Sequence, residues 1–316
     1  MTLDDLVKTI NKKPTSKKDL ATKLNLSQAK VDCLISDLVT KGYDILSFKS
    51  NGNIYYQLNK SGFNDSSYEL FNDQKLKSTN RKWLEISDIH AGCKHFDKSG
   101  LEEILTIAEG DGYKDVHISG DLVDGYDVYN GQLINLTKIT EPEQADLLSE
   151  ILSKYKLNYY AISGNHDDSW TKRLSPNPLA LIEKNVPNFK YLKGSTADLL
   201  FNGIAKRMVH GSGSNAYGKS YKGQVYLRNL LDSIGGLDVI VEKSKYPLKF
   251  LQIGHYHSGI LYESAGVQVS QPLSFQKPND YTIKKGLVGK RGGILVDTTL
   301  EDKEITSYIP RFIYVS

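Results

Sequence analysis

LNYYAISGNHDDSW, residues 157–170, places an apolar, strand-like run directly before Gly, Asn, His and Asp. The run reads as a buried strand, and Gly164 permits a tight turn with positive φ. Asn165 and His166 then stand at the strand's C-terminal tip. One such tetrad can be a mere turn. Four further clusters decide the matter. Ser87-Asp88-Ile89-His90 follows WLEI, and Gly120-Asp121-Leu122-Val123-Asp124-Gly125 follows KDVHIS. Val209-His210-Gly211 ends another strand, and Gly254-His255-Tyr256-His257 follows LKFLQI. In sheets with helical crossovers, ligands bind at the carboxyl ends of the strands. Five tips of this kind would converge on one face.

From Arg81 onward strands alternate with helices, predicted over 99–108 and 141–155, which argues a parallel or mixed sheet covered by helices. The second half is richer in strands. The fold class expected is therefore α/β (α+β). The polar donors at the tips are Asp88, His90, Asp121, Asn165, His210, His255 and His257. They offer oxygen and nitrogen but no thiolate, a mixture suited to Mn, Fe or Zn. Seven donors exceed the needs of one open site but fit two metals sharing a carboxylate. Two metals roughly 3.5–4 Å apart clamp the attacking and leaving oxygens of a phosphoryl displacement, and a bound water deprotonated near neutral pH supplies the nucleophile.

The ordered blocks SDIH, GDLVDG, GNHD, VHG and GHYH resemble the calcineurin-like metallophosphoesterase superfamily over about 83–275. The resemblance implies an αββα sandwich over 81–316 and two divalent ions, Mn²⁺ first, with Fe, Zn or Ni as alternatives. It implies that Asp88, His90, Asp121 and His257 hold one ion and Asp121, Asn165, His210 and His255 the other, with Asp121 bridging. His166 matches the non-ligand histidine that contacts the phosphate and assists the leaving group. Asp167 either orients His166 or fixes the turn. The protein-phosphatase branch carries Arg where this chain has Gly125, and Glu where it has Asp167. The GHYH pair is closer to the nuclease and small-phosphodiesterase branches.

Length and composition are those of an ordinary globular chain: 316 residues, 39% hydrophobic and 24% charged. Apolar runs are strand-length, no secretory signal opens the chain, and Cys33 and Cys93 are the only cysteines. A cytoplasmic protein without a membrane partner is expected. Charge is uneven. Residues 1–60 hold ten lysines against six aspartates, a net +4, leaving −1 on the remainder of a chain whose formal total is +3. Within 1–60, Ser27 can cap a helix carrying Val31, Leu34, Ile35 and Leu38 at helical spacing, and Asn51-Gly52 marks a hairpin. Helices followed by a hairpin resemble a winged helix-turn-helix domain, joined by a linker over 61–80. Such a module would present Gln28, Lys30 and Lys49 to DNA. Asp32 and Asp37 on the same helix keep open the alternative of a protein docking on residues 1–60.

In the loop after His210, Tyr217, Lys219 and Lys222 could stack on bases and grip phosphates, or the loop is a plain lid. Lys284, Lys285, Lys290 and Arg291 form a basic turn without full P-loop spacing. His117 is expected to pack beneath a helix. Asp124 either supports a ligand or shapes its turn. Function follows as a binuclear-metal-dependent phosphoester hydrolase using a metal-bridging hydroxide, foremost a DNA nuclease or DNA-end-processing phosphoesterase. The alternatives are a nucleotide phosphodiesterase or phosphatase, and a non-catalytic DNA-binding regulator.

Overall fold

A computed structural model describes residues 6–7, 9–10, 15–40, 45–50, 53–58, 67–71, 78–173, 175–213, 218–233, 246–279, 283–284 and 289–315. The chain divides into two compact units. One comprises Met1–Asp65 with Gln224–Ile240, the other Ser66–Gly223 with Val241–Ser316.

In the first unit, the helices Lys17–Leu24 and Gln28–Thr40 pack on a three-stranded sheet ordered β1-β3-β2. These strands are β1 (Thr15–Ser16), β2 (Ile45–Ser50) and β3 (Asn53–Leu58). Ser16 caps the first helix by accepting from Asp19 N at 3.0 Å, satisfying one orphan amide. Leu20, Leu24, Val31, Leu38 and Tyr56 form a buried cluster. Asp32 bonds Lys17 and accepts from Tyr56 Oη at 2.9 Å, so its charge is engaged inside the unit.

The second unit is built on two six-stranded sheets. The first runs β15-β14-β5-β6-β7-β8, with β5 (Ser78–Ile86), β6 (Asp115–Ser119), β7 (Asn158–Ile162) and β8 (Phe189–Tyr191) mutually parallel. β14 (Arg291–Glu301) and β15 (Glu304–Val315) close one edge as an antiparallel pair. The second sheet runs β12-β13-β11-β10-β9-β4, formed by β4 (Ser67–Phe71), β9 (Thr196–Phe201), β10 (Ile204–His210), β11 (Leu248–Gly254), β12 (Ile260–Ser264) and β13 (Val267–Gln271). The segment 61–80, expected as a linker, thus supplies β4, parallel to β9, and the start of β5. Its apolar run is too short to show a period among polar neighbours; only the partner strand makes it a ladder.

The predicted crossover helices are present as Lys98–Gly110 and Glu141–Leu152. Thr140 and Glu143 form a capping box at the second, with Pro142 in its first turn. Its buried Ala145, Leu148, Ile151 and Leu152 join Leu84, Ile86, Val116, Ile118 and Tyr159 in the core between helices and sheet. The opposite face of these strands packs on the second sheet through Trp83, Ile162, Met208, Phe250 and Ile294. Helices, sheet and sheet therefore lie in layers.

Period-two alternation corrects the reading of His117. Val116 and Ile118 face the helices, so His117 faces the second sheet. There its Nδ1 is 2.9 Å from Lys206 Nζ, whose ammonium also bonds Glu85. Burial and Lys206 hold the imidazole well below its ordinary pKa. Among the described residues no helix is long and apolar enough to cross a membrane.

Candidate metal centre

β5, β6 and β7 run parallel, as do β10 and β11, and the loops leaving their C-terminal ends are bonded to one another. Asp88 N donates to Gly120 O at 3.0 Å, and His90 N to Asp121 O at 3.1 Å. His166 N donates to Asp121 Oδ1 at 2.9 Å, and His255 N to Asp88 Oδ2 at 2.9 Å. His210 Nδ1 lies 2.8 Å from Ser119 O, which joins the second sheet to the first. All five sequence blocks meet here.

Their backbones are unusual. Asp88, His90, Asp121, His255 and His257 have φ of 52°, 54°, 53°, 85° and 50°. The left-handed region is uncommon for residues other than glycine, although Asp and His enter it more readily than most. Such backbones cluster at functional sites, where surrounding contacts hold them. The glycines of the motifs have steric reasons. A Cβ on Gly164 would strike the Asp121 carboxylate, and one on Gly254 would strike Ser119 O.

Three groups of side chains converge, each with one donor atom per residue within 4.8 Å of the others; His90, Asp124 and His166 form one of them, and the other two gather the donors expected to hold ions. The first is Asp88, His90 and His257. Here His90 Nε2 is 3.1 Å from His257 Nε2, and Asp88 Oδ1 is 3.4 Å from the latter. The second is Asp121, His210 and His255, with Asn165 beside it. His210 Nε2 is 3.2 Å from Asp121 Oδ2 and 3.1 Å from Asn165 Oδ1. The Asp121 charge also acts on His90 and Asp88 of the first group.

The arrangement fits divalent cations. Ser119 O can only accept, so His210 Nδ1 carries a proton, and in the neutral ring Nε2 is a lone pair facing two oxygen acceptors. A positive charge must lie among these atoms. With protons alone to supply it, burial opposes charging His210, but Asp121 and Asp88 outweigh burial and lift its pKa to about 10. His90 likewise rises to about 9 against burial, through Asp124 and Asp121. Metal ions would displace those protons.

His166 stands outside these two groups and shares the third with His90 and Asp124. Its Nδ1 is 2.6 Å from Asp124 O, and its Nε2 is 4.0 Å from Asp121 Oδ2. Burial pulls its pKa below the ordinary value despite Asp121, so the ring is neutral at neutral pH. Asp167 does not hold that ring. It accepts from Gly164 N at 2.8 Å and Val123 N at 2.9 Å, tying the β6 and β7 loops together. Burial and the neighbouring Asp121 raise its pKa to about 7. The orienting contacts come from Asp124, whose Oδ1 is 3.2 Å from His90 Nδ1. Asp124 is held in turn by Gln132 Nε2 at 3.0 Å. The second Asp of GDLVD signalled the first of these; nothing in the sequence marked Gln132.

The remaining sequence candidates are dispersed. Gln28 and Lys30 are exposed on the helix Gln28–Thr40. Lys49 lies in β2 opposite Ile54, its side chain outside the described residues, as is Tyr217 entirely. Lys222 brings its ammonium beside Gly213, whose carbonyl lies 2.7 Å from His255 Nε2. Lys219 O accepts from Gln271. Cys93 is buried, and burial lifts its thiol to about 12, so it is inert.

Residues 81–255, more than half of the chain, match the calcineurin-like phosphoesterase family. The chain belongs to that family. Two curated relatives are similar to it, both called DNA polymerase II small subunit. The one from Thermoplasma acidophilum is 28% identical over 225 residues, 62% of this chain and 45% of the relative. The one from Methanocaldococcus jannaschii is 27% identical over 237 residues, 64% of this chain and 39% of the relative. The chain thus spans less than half the length of either. A solved structure described as a novel archaeal phosphodiesterase is 14% identical, with a TM-score of 0.43, over 73% of this chain and 99% of that one. The calcineurin-like phosphoesterase fold accounts for both sheets and the helices covering the first. Members bind divalent metals, and the two donor groups stand ready for them.

Proposed function

We propose that the chain is a divalent-metal-dependent phosphodiesterase acting on DNA, as a nuclease or an end-processing enzyme. The observation that carries this reading is the convergence of Asp88, His90 and His257 and of Asp121, His210 and His255 beside His166, which the backbone carbonyl of Asp124 holds. Asp88, His90, His257 and Asp121 would hold one ion, and Asp121, Asn165, His210 and His255 the other, with Asp121 shared. Bound there, such ions neutralise phosphoryl oxygens and make water a nucleophile at neutral pH. The chain's own residues do the rest. Asp124 O fixes the tautomer of His166, leaving Nε2 toward the site. A phosphate anion beside that ring raises its proton affinity, so Nε2 can hold the proton that the leaving oxygen needs.

DNA as substrate has two supports. The first unit resembles a winged helix-turn-helix in its order of elements, with Gln28 and Lys30 exposed in the first turn of its second described helix. Asp32, which weighed toward protein docking, is engaged with Lys17 and Tyr56. The second support is the name shared by the two relatives, DNA polymerase II small subunit. A larger polymerase assembly is the partner this suggests. Lys219 and Lys222 would meet the phosphate backbone near the second ion.

The test uses the full chain with Mn²⁺ on single-stranded DNA, duplex DNA, RNA and bis(p-nitrophenyl) phosphate. DNA cleavage is expected. Because the first unit also takes in Gln224–Ile240, point variants probe it more cleanly than truncation. Lys30→Ala should weaken duplex binding and reduce the salt slope of log K by about 1. Cleavage of mononucleotide esters but no DNA would replace this reading with a nucleotide phosphodiesterase. DNA bound with both metals in place yet never cut would replace it with a non-catalytic regulator.

A further inference from the structure

The stretch leaving the GDLVD block, Gly125 to Ile139, is held rigidly against the site floor. Gln132 is fully buried and bonds both Asp124 O, at 2.6 Å, and Val128 N, at 2.6 Å. Gln144 donates to Gly125 O at 3.0 Å and Lys138 O at 2.9 Å. Lys94 N reaches Asn135 O at 2.8 Å, and Thr137 N reaches Gly92 O at 2.8 Å. A surface excursion with this many ties presents a fixed face rather than a loose loop.

That face has a distinct chemistry. From Gly125 to Thr137 the sequence has no lysine or arginine, and its one carboxylate, Asp127, is paired with Arg173 at 2.8 Å. Three of the seven large apolar side chains exposed among the described residues belong to it: Ile134 (81%), Ile139 (61%) and Leu133 (45%). Half-buried Tyr129 lies at its inner end, with ring centroid 6.2 Å from that of His166. Phosphates seek cations, and this face offers only Lys138 at its far end, since Arg173 is engaged by Asp127. A planar, uncharged group with an apolar surface is what such a face takes up.

We infer that Gly125–Ile139 is a nucleobase subsite. Tyr129 stacks the base attached to the reacting phosphate, and Leu133 and Ile134 cover its neighbour. The inference rests on reading the site as a phosphodiesterase and narrows its substrate to a nucleic acid strand with unstacked bases. A duplex buries its base faces, so it would have to open or fray here. Tyr129 is a binding residue and has no role in proton transfer.

Calorimetric titration tests it. A thymidine trinucleotide and the same trinucleotide lacking its central base are each added to the full chain loaded with Ca²⁺, and the ligand is analysed afterwards to show that nothing was cleaved. Wild type should bind the intact trinucleotide more tightly. Tyr129→Ala should lose about 5- to 150-fold of that preference, the range for one lost base–aromatic stack, while Tyr129→Phe keeps it. Ile134→Ser should weaken both ligands by a similar factor, because the neighbouring base is present in each. Equal affinities in wild type, no binding of the intact ligand, or an Ala variant with undiminished preference would each overturn the subsite. The exposed apolar residues would then be left to a protein contact. Hydrolysis of bis(p-nitrophenyl) phosphate, measured separately on wild type, reports on the phosphodiesterase reading alone.

Discussion

Replacing His166 by alanine separates proton handling from metal binding. The backbone N of residue 166, not its ring, donates to Asp121 Oδ1 at 2.9 Å, so the variant keeps the contact that orients that carboxylate. The ring's Nε2 lies 4.0 Å from Asp121 Oδ2, beyond the reach of a hydrogen bond. Both metals should therefore remain. What is lost is an imidazole whose Nδ1 is locked on Asp124 O at 2.6 Å. A lost general acid costs about 10²–10⁴ in rate, or roughly 2.7–5.4 kcal/mol of barrier at 1.36 kcal/mol per decade. The loss should depend on the leaving group. An alkoxide, as in DNA, needs a proton and should show the upper part of that range. p-Nitrophenolate leaves without one and should show the lower part or less. The assay is single-turnover kinetics on both ester types with Mn²⁺, alongside elemental analysis of the protein. Equal losses for the two leaving groups would refute the proton-handling role. Loss of metal from the variant would refute the separation of His166 from the donor groups.

Asp121→Asn should lower bound metal below wild type and abolish turnover, because the shared charge offsets repulsion between two cations; two equivalents of metal with unchanged turnover would count against the bridge. Asp97 offers a check on the fold away from the site. Burial opposes its ionisation, but Arg291, Gly100 N and Lys277 outweigh burial and hold its pKa below the ordinary 3.8. A folded-state pKa below the unfolded one means that the unfolded chain binds protons more readily as pH falls. The stabilisation is therefore full above the ordinary value and fades as pH drops through the lower, folded one. Asp97→Asn should cost about 1.5–3 kcal/mol at neutral pH, the range for hydrogen bonds to a charged group, and progressively less in acid. A stability difference that stays constant through the acid limb in urea titrations would show that the ion pairs contribute nothing.

The sequence by itself determined the order of the strands that carry chemistry, because an apolar run cut off by Gly and a polar donor is a local signal. It also singled out the candidate donor residues, since each stands in a block of three to six residues. It set the crossover helix Glu141–Leu152 through its Thr140–Glu143 cap and apolar spacing. Tertiary structure decided what depends on a partner distant in the chain. His117 looked like a residue under a helix, yet alternation turned it toward a second sheet whose Lys206 lies elsewhere in sequence. Ser67–Phe71 became a strand only beside β9. Asp167 and Asp124 sit at similar places in their motifs, and no local rule tells which of them holds His166. That choice is made by where the β6 and β7 loops cross, which brings Asp124 O to the ring and leaves Asp167 with the amides of Gly164 and Val123. Tyr129 and Gln132 show no motif at all, because their places come from a loop folded back on the site floor. Local sequence carries the chemistry of each side chain; the packing of two sheets decides which side chains share a charge, a proton or a ligand.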